Sequence, residues 1–570
     1  MYSAGRDAMR SALSVPTATE PRQGHGARRF LAGVDARIGV TVGAASNGRI
    51  WNEAMLDTAS RKELKELNAI LAKAAAFDKK GMLEQAARSY RFFLSRRPEP
   101  AAYFNYGRVL KKLGSYDEAI QSYERAIALK PDYAEAYANI ANIHMEQKLF
   151  ERALEYHHLA VRHGPTLAVV YYNRGVVLQE LGRHDEALAD YDRTLTLQPD
   201  YYLAYLNKSV ILYELKQKTK AAANYRQILR TNPESIDALW NLGILKLSEG
   251  DFAEGWKLSE ARLRPQAEIN NQRFQEPYWD GRESIAGKTL LIVWEQGFGD
   301  TIQFSRYALL AKNTGARIVL SVQNPLRRLI STLDDEIEVI GEDEIPEHYD
   351  YYCFLMSLPH IFKTSVETIP YPAKYLRTEP AGISRWSAKI AALPGLKIGL
   401  VWAGGERANI TCARRNDANR SLPLTRYIPF LELKGAAFFS LQKGPPAAQV
   451  QAVQATHEIH DWTDSFTDFA DTGALIEHLD LVITVDTSVA HLAAALGKPV
   501  WVLVPWVSCW RWLERRSDSP WYASVRLFRQ AERGNWDPVI DAVAQALRAR
   551  IETSQSITAK QTLLIPPSMS

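Results

Sequence analysis

Residues 483–505 read ITVDTSVAHLAAALGKPVWVLVP. An apolar run stops abruptly at Asp486-Thr487-Ser488, a short apolar helix follows, and a second apolar run begins. Strand, helix and strand in that order make a βαβ unit, whose parallel strands need a crossover between them. The crossover does not need three polar residues at its start. A helix N-terminus carries unpaired N–H groups and the positive end of the helix dipole, so the triplet points to an anion bound there.

The same alternation extends in both directions. Strand-length apolar runs occur at 289–295 (TLLIVWE), 316–322 (ARIVLSV), 397–404 (KIGLVWAG), 436–442 (AAFFSLQ), 481–486 (LVITVD), 500–505 (VWVLVP) and 525–530 (VRLFRQ). Helical segments separate them, which predicts parallel sheets covered on both faces. The proline-bearing TIPYPAKYLRTEPAG (368–382) divides an N-terminal lobe, 288–382, from a C-terminal lobe, 383–550. Two doubly wound lobes set the C-terminal ends of their strands on either side of one cleft. The N-lobe opens with TLLIVWEQGFGDTIQFSRYALL. GFGD lacks the third glycine of a dinucleotide fingerprint, and the next strand ends at Gln323 where a ribose-binding acid would stand. No P-loop is present either, so hydride transfer and ATP hydrolysis are disfavoured.

A different period governs the chain upstream. Pro98, Pro131, Pro165, Pro199 and Pro233 are spaced by 33, 34, 34 and 34 residues. Ala86, Ala119, Ala153, Ala187 and Ala221 keep step with them, as do the rings Tyr90, Tyr123, His157, Tyr191 and Tyr225. Gly107, Ala141, Gly175, Ser209 and Gly243 recur near the start of the units. Small residues let antiparallel helices approach, rings fill the gap and proline stops the second helix, so the pattern predicts an α-helical solenoid over 61–262. NYGRVLKKLGSYDEAIQSYERAIALKPD resembles the tetratricopeptide repeat in period and in position-specific residues. The last unit departs from the pattern: Gly255 replaces the alanine and no proline follows in phase, which reads as a junction. Residues 1–60 read as disordered, 263–287 as a linker and 551–570 as a loose tail.

The 69 basic and 65 acidic residues nearly balance over 570 positions, which argues against a nucleic-acid coat. No apolar run approaches the roughly 20 residues of a membrane helix. Cys353, Cys412 and Cys509 lack zinc-type spacing and suggest a reducing compartment. A cytoplasmic location is the expectation.

EQGFGDTIQFSRY, NDANRSLPL, SLQKG, DFADTGALI and VITVDTSVAHLAAALGKPVWVL together resemble a bacterial group in which tetratricopeptide repeats are fused to a GT-B glycosyltransferase similar to lipopolysaccharide heptosyltransferases. The architecture is also similar to that of the O-linked N-acetylglucosamine transferases, although their catalytic motif is not visible. The resemblance covers about 240–550 and implies a GT-B fold of two Rossmann-like lobes. It also implies helix dipoles and basic side chains in place of a metal, so neither metal nor cofactor is expected, and the nucleotide sugar is a substrate. In the heptosyltransferase pattern the acid and the residues after it contact the donor, which makes Asp486, Thr487, Ser488 and His491 donor-binding candidates. The other reading is that Asp486 or Thr487 is a helix N-cap and His491 packs locally. Asp300 stands where that pattern has its proposed catalytic base, with Gly299 beside it and Gln296 and Gln303 as acceptor or cleft residues. As a plain N-cap, Asp300 would be a poor base.

The loop 403–421 supplies Arg414, Arg415, Arg420 and Ser421, of which Arg420 and Ser421 lie within NDANRS and are candidates for holding phosphate or sugar. Lys443 is a further donor-side candidate, although a surface lysine would look the same. Trp510, Trp512 and Trp521 read as core packing, with Cys509 where related sequences carry an acid. The expected function is inverting, metal-independent transfer of a sugar from a nucleotide sugar to a hydroxyl, with the repeat groove binding a protein or glycan acceptor. The alternative is a non-catalytic scaffold whose GT-B module only senses a nucleotide sugar.

Overall fold

The computed structural model describes residues 58–266, 272–371, 373–405 and 417–563. The stretch 1–57 lies outside them, as do Arg414 and Arg415. The chain divides into two compact units that meet in sequence at Ile211 and Leu212.

The first unit is a run of helix pairs: Thr58–Lys79 with Leu83–Arg96, Pro100–Lys112 with Tyr116–Leu129, Ala134–Glu146 with Phe150–His163, and Ala168–Glu180 with His184–Leu197. In each pair the second helix ends two residues before one of the periodic prolines, which cannot continue it. The small residue and the ring of each repeat meet face to face. A Cβ on Gly107 would stand 2.8 Å from Tyr123 Cε1, and one on Gly175 2.8 Å from Tyr191 Cε1. Such distances exclude a methyl group at either position. The intervening repeat carries Ala141 in place of glycine and the smaller His157 in place of tyrosine.

The second unit begins with the end of the Tyr202–Glu214 helix and includes Lys218–Thr231, Ile236–Glu249 and Phe252–Ser259. The aberrant last repeat is thus part of the α/β core. Trp256 packs edge-on against Phe304, Trp510 and Trp521 at 6.2, 5.2 and 6.5 Å between centroids, and its indole N–H donates to Thr364 O at 3.1 Å. Two expectations need correction here. The linker assigned to 263–287 is structural from Phe274 onward. Phe274 is buried with Leu291 and Tyr352, and Trp279 and Pro277 exchange backbone hydrogen bonds with Tyr352, extending the sheet edge. Nor is the tail loose over 551–563, because the final helix, Asp537–Leu563, continues past Arg550 and buries Ile551, while 564–570 lie outside the described residues.

Two parallel sheets follow. The N-lobe sheet has the order β3-β2-β1-β4, with β1 Thr289–Val293, β2 Arg317–Ser321, β3 Glu338–Ile340 and β4 Tyr351–Phe354. The C-lobe sheet has the order β10-β9-β8-β5-β6-β7. Its strands are β5 Leu396–Val401, β6 Ala436–Ser440, β7 His460–Asp461, β8 Leu481–Val485, β9 Val500–Val504 and β10 Val525–Arg529. Strands β1, β8 and β9 are buried at every position, as their unbroken apolar runs require. In each sheet the strand order reverses beside a central strand, between β1 and β4 and between β5 and β8. Crevices at such reversals are the ligand sites of open α/β sheets. Among the described residues, no helix is long and apolar enough to cross a membrane.

Candidate functional site

The C-lobe turn grows directly out of β8. The strand ends at Val485, and Thr487 caps the Ser488–Ala495 helix in an extended conformation. The Thr487 hydroxyl lies 3.0 Å from that of Thr484. Among the described residues, neither the Asp486 carboxylate nor the Ser488 hydroxyl has a hydrogen-bond partner, and both residues are half-buried. The turn therefore offers a hydroxyl and the first N–H groups of a helix, partly screened from water.

Arg420 and Ser421, which come after β5, border this crevice. Arg420 Nη1 donates to Asp486 O at 2.7 Å and its Nη2 to Asp417 Oδ1 at 2.5 Å, while Ser421 Oγ accepts from Gly404 N at 3.0 Å. Arg420 and Ser421 thus stand at the β5–β8 reversal beside Asp486. Lys443 is elsewhere. It follows β6, two strand spacings or about 10 Å from β8, and its ammonium donates to Thr463 O at 2.7 Å.

The N-lobe turn is built differently. Gln296 adopts φ +63°, a left-handed conformation that costs a non-glycine residue roughly 1 kcal/mol or more. Gln323, at the end of β2, fixes the turn by accepting from Thr301 Oγ1 at 2.8 Å and donating to Gln296 O at 3.3 Å. The Phe298–Phe304 helix then starts at Gly297, whose N–H donates to Asp300 Oδ2 at 2.8 Å. The other oxygen, Asp300 Oδ1, is ion-paired with Arg511, which comes from the loop after β9. Arg511 Nε also donates to Gln303 Oε1 at 2.6 Å. Asp300, Gln303 and Arg511 are all buried. Gln303 is therefore engaged with Arg511, while Gln296 and Gly299 are half-buried at the turn itself.

The two turns face each other. A Cβ on Gly299 would stand 2.9 Å from His491 Cδ2 and 3.5 Å from Ser488 Cα, so only glycine permits this approach. His491 lies one turn inside the C-lobe helix. Its ring is stacked on Trp512 at 5.4 Å, its Nδ1 is 2.9 Å from Tyr522 Oη, and its Cδ2–Nε2 edge is turned toward Gly299. Burial, reinforced by Arg511, Arg306 and Arg420, holds the imidazole well below its usual pKa, so it is neutral near pH 7.

Sequence reasoning brought Asp300, Gly299, Asp486, Thr487, Ser488, His491, Arg420 and Ser421 to one interlobe region, and the geometry joins them there. It missed Arg511, Tyr522 and Arg306. Arg306 is fully buried, with its guanidinium donating to the carbonyls of Gln303, Pro370, Tyr371 and Trp521 and to Tyr375 Oη. It ties the N-lobe helix to the connector and the C-lobe. The available signal was a cation set between two tryptophans, Trp510-Arg511-Trp512, because arginine within an apolar segment needs a partner.

Tetratricopeptide-repeat families match residues 107–148, 168–201 and 203–235. Glycosyltransferase family 9 (heptosyltransferase) matches residues 465–503, the segment that contains the Asp486–His491 turn. Protein FlbA of Caulobacter vibrioides is 28% identical over 327 residues, covering 53% of this chain and 53% of that protein. The chain thus spans about half the length of this curated relative. Similar solved structures include pilF of Pseudomonas aeruginosa, at 18% identity over 37% of this chain and 97% of that one, with a TM-score of 0.32. YrrB, a tetratricopeptide-repeat protein with an unusual peptide-binding site, is 18% identical over 33% of this chain and 100% of its own, with a TM-score of 0.28. The chain joins a tetratricopeptide-repeat array to a two-lobed α/β region whose second lobe contains a segment that matches glycosyltransferase family 9.

Proposed function

We propose that the α/β unit is an inverting, metal-independent glycosyltransferase that moves a sugar from a nucleotide donor to a hydroxyl acceptor. The observation that carries this reading is the facing of the two turns, with Gly299 against Ser488 and His491. The donor diphosphate lies at the start of the Ser488–Ala495 helix, where the N–H groups, the Ser488 hydroxyl and Arg420 surround it. The acceptor oxygen attacks the anomeric carbon, the bond to the diphosphate breaks, and the nucleoside diphosphate leaves with the electron pair. The helix dipole and Arg420 stabilise the charge that develops on it. Asp300 accepts the proton of the acceptor hydroxyl across the cleft. The repeats bind the acceptor or a partner protein, and the nucleotide sugar needs no further cofactor.

A second reading, a scaffold that senses a nucleotide sugar without turnover, draws on the engagement of both Asp300 oxygens. Thermal unfolding of the full chain with UDP, GDP, ADP and dTDP tests the shared part of both readings. At least one is expected to raise the melting temperature, as a ligand of the folded state must, and Thr487→Ala/Ser488→Ala to reduce the shift. No response to any of the four contradicts a donor site here. Transfer assays of Asp300→Asn separate the readings: the enzyme loses turnover, whereas a sensor has none to lose.

A further inference from the structure

Arg511 has no place in the reading above, yet it sits at the centre of the interlobe contact. It is only 6% exposed and comes from the C-lobe, but its strongest partners are in the N-lobe: the Asp300 carboxylate and, one turn further along the same helix, Gln303 Oε1 at 2.6 Å. The ring of Trp510 lies 4.4 Å from the guanidinium carbon and that of Phe304 5.6 Å, so the group is held between aromatic faces. Its Nη1 is directed toward Cys509 Sγ at 3.2 Å, a weak acceptor. The Asp486 carboxylate acts electrostatically on that thiol, and Arg511 itself acts on His491. Asp300, which Arg511 pairs with, is next to Gly299, and Gly299 stands against Ser488 and against the His491 ring stacked on Trp512, so the guanidinium is joined to the place where the two turns face each other. Its loop is held in shape as well: Leu513 and Arg515 adopt φ +51° and +58°.

We propose that Arg511 is a shared clamp, exchanged between the Asp300 carboxylate and the diphosphate of the donor. This rests on the donor site described above and adds a residue to it. A diphosphate carries more negative charge than one carboxylate and offers oxygens spaced to suit the guanidinium fork, so it competes well for the group. When the clamp turns to the diphosphate, Asp300 keeps only the Gly297 N–H, and its second oxygen can take a proton. Loading of the donor thereby releases the base. The order of events follows from one cation serving two anions.

Calorimetric titration of the full chain with inorganic pyrophosphate tests this without any knowledge of base, sugar or acceptor. Arg511→Gln is expected to weaken binding about tenfold, the scale of one hydrogen bond to a charged group. Asp300→Asn removes the competitor and is expected to tighten binding severalfold. In the Arg511→Gln background Asp300→Asn is expected to change affinity less than about twofold, because there is no clamp left to release. Arg511→Met removes the charge while keeping an unbranched side chain of similar reach, and it carries the same test should the Gln variant fold poorly. Equal tightening by Asp300→Asn in both backgrounds would reduce the effect to a general field and overturn the clamp. Binding that Thr487→Ala weakens but neither Arg511 variant affects would overturn it too, leaving the donor site intact. Absence of pyrophosphate binding in every form would remove both.

Discussion

His157 in the repeats and His491 at the facing turns are both buried imidazoles, and burial lowers the pKa of each. The resemblance ends with their nitrogens. Among the described residues neither nitrogen of His157 has a partner, and the ring fills a position that Tyr123 and Tyr191 hold in the neighbouring repeats. His491 is oriented instead, by Tyr522 on Nδ1 and Trp512 beneath the ring, so that its other edge meets the opposite lobe at Gly299. The small residues differ in the same way. Gly107 and Gly175 make room for a ring within one repeat, whereas Gly299 lets the turns of two lobes touch. Depth of burial therefore does not separate the two settings. What an oriented group is turned toward does.

The largest expected effect breaks the turn side of this contrast. Asp300→Ala strands the Arg511 charge and is expected to cost about 3–5 kcal/mol in denaturant unfolding of the α/β unit. A cost under about 1 kcal/mol would mean the pair is not buried as described. Next come the glycines. Gly299→Ala and Gly107→Ala both place a methyl within 3 Å of a ring, and each is expected to cost about 1–3 kcal/mol. Only Gly299→Ala should also abolish nucleotide-induced stabilisation, and a matching loss in Gly107→Ala would erase the distinction.

His157→Tyr alone is expected to destabilise by about 1–2 kcal/mol, because Ala141 occupies the space a glycine leaves for the ring. Adding Ala141→Gly should recover that loss. The smallest effect concerns pH. Burial, helped by Arg174 and His158, brings the folded pKa of His157 down to about 3. The unfolded state then binds the proton more readily, so His157 leaves stability intact well above about pH 6.5 and erodes it by about 1.4 kcal/mol in all as pH falls from about 7.5 to 5.5. His491 acts in the same direction. Unfolding midpoints of the wild type between pH 7.5 and 5.5 should fall more steeply than those of Ala141→Gly/His157→Tyr, and parallel slopes would refute the assignment.

Much of this was legible in the sequence because period and apolar runs are local signals. All seven strand-length runs became strands, and each periodic proline stands two residues past a helix. The strands that were not anticipated are short: Glu338–Ile340, Tyr351–Phe354 and His460–Asp461. Runs of two to four residues show too little alternation to be read, and pairing to longer neighbours sustains them. Residues 274–285 looked like a linker because Phe274 is buried against Tyr352, and Pro277 and Trp279 pair with it, across more than 60 positions of sequence. The same limit hid Arg511. Its partner Asp300 is 211 residues upstream, and only the folded lobes bring the two together. The Asp300 and Asp486 turns were legible because each sets its polar residues within a few positions of a strand end.

The most direct test of the central claim, that the two turns jointly hold a diphosphate, is a crystal structure of the full chain with the nucleoside diphosphate that most raises its melting temperature. The account predicts the β-phosphate at the first turn of the Ser488–Ala495 helix, within about 3 Å of the Ser488 hydroxyl or the helix N–H groups, with Gly299 across from it. A phosphate bound away from that helix start, or held by one lobe with the Asp300 turn drawn off, would contradict it.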